Sequence, residues 1–296
     1  MINLVKTEKI KKKYSNMLKT NKINKIYIYH HMGLGDHISC NGLVRGIIKK
    51  KKNNTYYLFC KKIFFESIKF MYRDIKNLKL KVIDSNNADI EVEKYLAQLK
   101  DKKKIIRIGL ENYDKIYAKI NSKNNPITYD MVFYKQMSVS YKKRFTDCYW
   151  KRNIKEENRV YKKLIKDPNK KYIFVHDDPS LNHNINKSFF NKGYKIIKND
   201  KSEIIFNMAK VIENATEIHL MESSIRNMTE SLNLKTKFLF LYIWRRKKMA
   251  PRYNYNKKKL VGTIKNWKII YSNPKREKNI IFLLLELIQK IKYKFF

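Results

Sequence analysis

Apolar residues along this chain gather in short continuous blocks, and these blocks alternate with stretches of helical period. The first clear block is "KIYIYHH" from Lys25, a run of strand length that leads into a turn carrying Gly33 and Gly35. After Asp36 the apolar positions Cys40, Leu43, Val44, Ile47 and Ile48 keep the helical period and stop at a lysine run, which predicts a helix. Strands are predicted next at 55–60 ("TYYLFC"), 78–84 ("LKLKVID") and 104–109 ("KIIRIG"), with helices in "IFFESIKFMYR" and "ADIEVEKYLAQL" between them. Residues 127–150 interrupt the alternation and read as helix and loop.

A second series follows. Strands are predicted at 172–178, 194–200, 217–223 and 237–243. "SEIIFNMAKVIENA" is an amphipathic helix with Ile204, Ile205, Met208 and Ile212 on one face, and "SIRNMTESL" is a second helix. A closing helix is expected from about Arg276 to Tyr293. Strands that alternate with helices imply parallel sheets, so the expected fold class is α/β in two units. The expected division is a basic leader at 1–25, units at 26–160 and 161–275, and an amphipathic helix at 276–296.

Composition adds a partner class. The chain has 296 residues, 43% of them hydrophobic and 13% aromatic, enough for a substantial core. Its 67 Lys and Arg against 26 Asp and Glu give a net charge of +41. Lysine, asparagine, isoleucine and tyrosine all have A/T-rich codons, so base composition accounts for part of this excess. It does not account for the scarcity of acidic residues, and the surface should attract nucleic acid, anionic lipid or phosphorylated substrates. Cys40, Cys60 and Cys148 are few and lack metal-ligand spacing, which points to a reducing compartment and away from disulfides or zinc. The N-terminus carries no apolar signal core, and the longest apolar run, at 280–288, is too short to span a bilayer. The expected location is the cytoplasm.

Candidate chemistry concentrates at two turns. Four of the 7 glycines (Gly33, Gly35, Gly42, Gly46) and three of the 6 histidines (His30, His31, His37) fall between residues 30 and 46. A glycine turn after the first strand lies at the carboxyl edge of a parallel sheet, where open α/β folds bind ligands. "GLGDHI" lacks both the third glycine of a dinucleotide fingerprint and the lysine of a P-loop. Asp36 reads either as the helix N-cap or as a carboxylate placed to take a proton from a substrate hydroxyl. The remaining histidines, His176, His183 and His219, also fall at or near predicted strand ends. The second turn, Glu222, Ser223 and Ser224 before a helix, reads as an anion site suited to a diphosphate or as an ordinary cap. Arg245 and Arg246 follow the next strand, as a phosphate clamp or as one more basic loop.

"HHMGLGDHISCNGLVR", "FVHDDPS" and "VIENATEIHLMESSIRNMTESL" together resemble bacterial and phage glycosyltransferases of the GT-B type. The glycine loop is similar to the GxGD opening of the heptosyltransferases (glycosyltransferase family 9-like). "ESSIRNMTESL" stands where that family carries DSGxxHLAAAL, with glutamate and serine replacing aspartate and glycine. The resemblance implies two Rossmann-like domains facing a central cleft, with a C-terminal helix that crosses back. It assigns Asp36 as base with His37 as partner, and His31, Gly33 and Gly35 to the acceptor-side loop. His176, Glu222, Ser223, Ser224, Arg226 and Arg245 fall to the donor side. No convincing DxD motif is present, so no metal and no cofactor beyond a nucleotide-sugar co-substrate is expected.

The activity implied is an inverting hexosyl or heptosyl transfer to a hydroxyl of a glycan or glycolipid, in surface polysaccharide or lipopolysaccharide synthesis. The basic leader and amphipathic tail would hold the enzyme against the anionic inner face of the membrane. The alternative expectation is a non-enzymatic protein that binds nucleic acid or anionic membrane through its charge.

Overall fold

The computed structural model describes residues 24–111, 113–121, 126–178, 184–243, 252–254 and 259–270. The leader up to residue 23, His183, Arg245, Arg246 and the expected closing helix lie outside the described residues.

Two parallel sheets form the frame. The first contains β1 (Lys25–His30), β2 (Thr55–Lys61), β3 (Leu78–Ile83) and β4 (Ile105–Ile108) in the order β3-β2-β1-β4. The second contains β5 (Tyr172–His176), β6 (Lys195–Lys198), β7 (Glu217–Met221), β8 (Leu239–Tyr242) and β11 (Lys268–Ile270) in the order β11-β8-β7-β5-β6. Between β8 and β11, β9 (Arg252–Asn254) and β10 (Lys259–Val261) make a small antiparallel pair. The central strands β1 and β7 are buried almost throughout, which is why β1 reads as an apolar run rather than an alternating one, whereas β7 buries Glu217 and His219 among its apolar residues. β3, at a sheet edge, is half-buried or exposed along most of its length, with Ile83 alone buried.

Helices fill the connections. α1 (Leu34–Ser39) and α2 (Asn41–Lys50) lead from β1 to β2, α3 (Phe65–Tyr72) from β2 to β3, and α4 (Ala88–Ala97) from β3 to β4. α5 (Tyr113–Ile120), α6 (Tyr129–Gln136), α7 (Lys143–Thr146) and α8 (Ile154–Leu164) join the two sheets. The expected helix after residue 202 opens as a tighter turn at Ile205–Met208 before α9 (Ala209–Glu213), and α10 (Ser224–Thr229) follows β7. The helix expected after Asp36 is also divided, at Cys40.

In each sheet the chain order reverses beside its first strand. β2 and β3 lie on one side of β1 and β4 on the other; β6 lies on one side of β5 and β7 on the other. Such reversals leave a crevice beyond the carboxyl ends of the strands, so the residues following His30 and His176 face ligand-sized space.

The hydrophobic core is shared. One buried cluster runs from Ile28, Leu43 and Tyr134 through Phe206 to Phe174, Ile218 and Leu241. Phe206 stacks on Phe70 at 5.6 Å and packs against Trp150 at 5.0 Å, tying the connection before α9 to α3 and to the stretch between α7 and α8.

Candidate active site

A cavity of about 400 Å³ opens where the two crevices meet. One wall is the turn after β1: Gly33, Leu34, Gly35 and Asp36. The other is built from the ends of β5 (His176, Asp178) and β7 (Glu222, Ser223, Ser224) with Asn227, and Phe64, which follows β2, also lines the space. The glycine turn and the serine turn, about 190 residues apart in sequence, therefore share one space.

The glycines have separate physical tasks. Gly33, not Asp36, is the N-cap of α1, and its carbonyl accepts from the N–H groups of Asp36 and His37 at 3.0 and 3.1 Å. Asp36 is thus three positions into the helix, so the capping reading does not hold; its half-buried carboxylate faces the cavity and folds back over Gly33. A β-carbon at Gly33 would meet Asp36 Oδ2 at 2.6 Å. At Gly35 a β-carbon would stand 3.2 Å from Asn227 Nδ2, the atom that donates to the Gly35 carbonyl at 3.0 Å. Gly42 lets α2 pack on the Lys143 carbonyl, which a β-carbon would approach to 2.3 Å.

The histidines largely leave the site. His37 is fully buried, edge-on to His30 with ring centroids 4.4 Å apart, and it does not line the cavity. Burial first, and His30 second, push its basicity well below the ordinary range, and its ring packs against His30 away from the cavity lining. His30 is held down to about 4 by burial. His31 points toward β4 and α6: its Nε2 lies 3.1 Å from the Gly109 carbonyl and also meets the Tyr129 hydroxyl. His219 is enclosed between Phe190 and Phe240, against Tyr242 and Glu217. Only His176, half-buried at the end of β5, reaches the cavity among the described histidines.

Arg226 also departs from its expected place. It is 1% exposed and lies beneath the cavity wall, donating from Nη2 to the Gly262 carbonyl at 2.9 Å and pairing with Glu230 at 3.1 Å. A second buried guanidinium, that of Arg144, joins it. Arg144 pairs with Asp130 at 2.5 Å and donates to Ser39 Oγ, to the Gly262 carbonyl and to Asn227 Oδ1, the last at 2.8 Å. Asn227 Oδ1 also accepts from Arg226 at 3.2 Å. Asp130 in turn accepts from the Thr128 and Tyr141 hydroxyls at 2.6 and 3.0 Å. Gly262 adopts φ +84, and a β-carbon there would stand 2.3 Å from Thr128, so glycine is required at this crossing.

Glu222 is 4% exposed, with Arg226 Nη1 3.7 Å from Oε1 and no hydrogen-bond partner on Oε2. Burial pushes its carboxyl up to about 7, against the opposing pull of Arg226 and Arg144. Ser223 caps α10, its Oγ accepting from the Arg226 N–H at 3.3 Å, and Ser224 lines the cavity from the first helical position.

Sequence reasoning missed Phe64, Asp178 and Asn227 as lining residues, and Asp130 and Arg144 as their support. "HDDPS" did contain Asp178, next to the one histidine that reaches the cavity. Among the described residues no three His, Cys, Asp or Glu side chains are grouped to hold a metal ion, and no helix is long and apolar enough to cross a membrane.

No protein-family model and no curated protein matches the sequence. Among solved structures the chain is similar to "the glycosyl transferase family 9 from Veillonella parvula DSM 2008", with 8% identity, a TM-score of 0.47, and coverage of 86% of this chain and 89% of that one. Likeness at that level fixes neither reaction nor ligand, and the functional reading rests on the strand orders and the cavity.

Proposed function

We propose that this chain is a glycosyltransferase of the GT-B type, moving a sugar from a nucleotide-sugar donor to a hydroxyl of a glycan or glycolipid acceptor. One observation carries the reading: the two turns in which the sequence resembles heptosyltransferases line a single cavity at the crevices of two parallel sheets. Asp36 is the base that takes the acceptor hydroxyl's proton. Ser223, Ser224, Glu222 and His176, on the other wall, take the donor. Asp178 offers an acceptor for a sugar hydroxyl and Phe64 an apolar face for a sugar ring, while Asn227, its Oδ1 already taken by Arg144 and Arg226, holds the wall in place.

A base on one wall and a leaving nucleoside diphosphate on the other suit attack from the face opposite the leaving group, hence inversion, with no metal in the mechanism. His37 and Arg226 serve this site from behind, as packing and as electrostatic support. A hexosyl or heptosyl donor, a role in surface polysaccharide or lipopolysaccharide synthesis, and attachment to the inner membrane face through the basic surface complete the proposal.

The test is a thermal-shift panel of UDP, GDP, ADP and CMP, followed by Asp36→Asn. Stabilisation by one nucleoside diphosphate at millimolar concentration, kept in Asp36→Asn while sugar transfer falls by about 10²–10⁴-fold, is expected. The +41 charge favours one rival, a polyanion binder. No response to any nucleotide, together with DNA binding that weakens steeply with salt, would establish that rival instead.

A further inference from the structure

The chain carries a net charge of +41, yet none of the described side chains lining the cavity is lysine or arginine. Asp36, Asp178 and Glu222 give it three carboxyl groups instead. The cations beneath the wall are already committed: Arg144 to Asp130 and Asn227, Arg226 to Gly262 and Glu230. Arg226 Nη1 stands 3.7 Å from Glu222 Oε1, beyond hydrogen-bond reach. Glu222 Oε2 has no hydrogen-bond partner at all.

A ligand carrying a diphosphate brings further negative charge against these carboxyls, in a wall of low dielectric where like charges repel strongly. A carboxyl of the wall that gains a proton relieves that repulsion. We propose that Glu222 takes up a proton when a nucleoside diphosphate, free or as its sugar conjugate, enters the cavity, so that ligand binding and protonation of this side chain are one coupled event. The inference rests on the reading of the cavity as a donor site.

The surroundings of Glu222 single it out as the carboxyl that gives way. Arg226 and Glu230 face it from α10, Arg144 from α7 and Asp130 from α6, while Asp36, His176 and Asp178 share its cavity. Burial is the largest of these influences, Arg226 and Arg144 pull against it, and the carboxyl stands at about 7 before any ligand arrives. An approaching anion raises it further, so the proton is acquired at ordinary pH.

Calorimetric titration of UDP, GDP and ADP at pH 8, in two buffers of contrasting ionisation enthalpy, reads the proton directly. Expected for the wild type is uptake of a large fraction of one proton per nucleotide bound. Its affinity should also fall between pH 7 and 9, toward a limit of about tenfold per pH unit. Glu222→Gln should bind with no uptake and an affinity that no longer follows pH. Wild-type binding without proton uptake overturns the inference and leaves the donor-site reading standing. Uptake that persists in Glu222→Gln assigns the proton elsewhere, to His176 or the ligand, and also overturns it. If none of the three nucleotides binds at millimolar concentration, the donor-site reading fails first and the inference falls with it.

Discussion

Replacing Gly33 with alanine tests whether the glycine turn exists for the backbone or for Asp36. Its φ of −69 and ψ of 147 are values that alanine adopts without strain, so no backbone penalty is due. The obstacle is local: the new β-carbon would stand 2.6 Å from Asp36 Oδ2, where ordinary contact begins near 3.4 Å. The carboxylate oxygen must therefore retreat by about 0.8 Å, and a half-buried side chain at a cavity edge has room to do so. Stability should change by less than about 1 kcal/mol, because the entropy removed from the unfolded chain offsets the small rearrangement. Turnover should fall by about 10²-fold, the usual consequence of shifting a reacting group by close to 1 Å, which corresponds to about 2.7 kcal/mol of barrier. Urea unfolding followed by circular dichroism measures the first quantity, and release of nucleoside diphosphate from the donor measures the second. Full turnover in Gly33→Ala would refute the idea that this glycine sets the position of the base. A stability loss beyond about 3 kcal/mol would show that the clash spreads into the fold instead of relaxing through one side chain.

Two further substitutions probe the charges under the cavity. The Glu222 carboxyl sits near 7 in the folded protein against an ordinary 4.5, so the folded state holds that proton more tightly; wild-type stability is intact below about pH 4.5 and declines as pH rises through 7. Glu222→Gln escapes the decline, and urea midpoints at pH 5 and pH 8 should show it gaining up to about 3 kcal/mol on the wild type; equal gaps at both pH values would contradict the burial argument. Arg144→Met strands the buried Asp130 carboxylate and should cost about 3–5 kcal/mol, part of which Asp130→Asn in the same chain restores. A double variant no more stable than Arg144→Met alone would mean that the cost lies in packing.

The strand–turn–helix order was legible because central parallel strands, covered on both faces, leave unbroken apolar runs such as those at Ile26–Tyr29 and Tyr172–Val175. β9, β10 and β11 were not legible. Each is three residues long, too short to leave a periodic signal, and β11 takes its place only by pairing with β8. α8 spans the expected division at 160/161, and with only Ile154, Val160, Tyr161 and Leu164 apolar it offers a narrow hydrophobic face. At the site, the two turns were found because unusual residue types mark them. His37 and Arg226 lie off the cavity lining for a common reason: both stand next to a cavity-facing residue in sequence, and helical geometry turns neighbours to different sides. Arg144 and Asp130 gave no warning, since a buried guanidinium looks like any other basic residue until a carboxylate from another helix is placed 2.5 Å away.

Gly262, Asn227 and Arg226 belong to the second sheet's half of the chain, whereas Arg144, Asp130 and Ser39 belong to the first or to the link, and their hydrogen bonds interlock. With a hydrophobic core that also runs through both halves, neither half can melt without exposing the other's buried charge and apolar surface. The two sheets should therefore unfold in a single calorimetric transition, with agreement between van't Hoff and measured enthalpy, and separately expressed halves should not behave as autonomous proteins. What strand order presents as two repeating units is, energetically, one cooperative object.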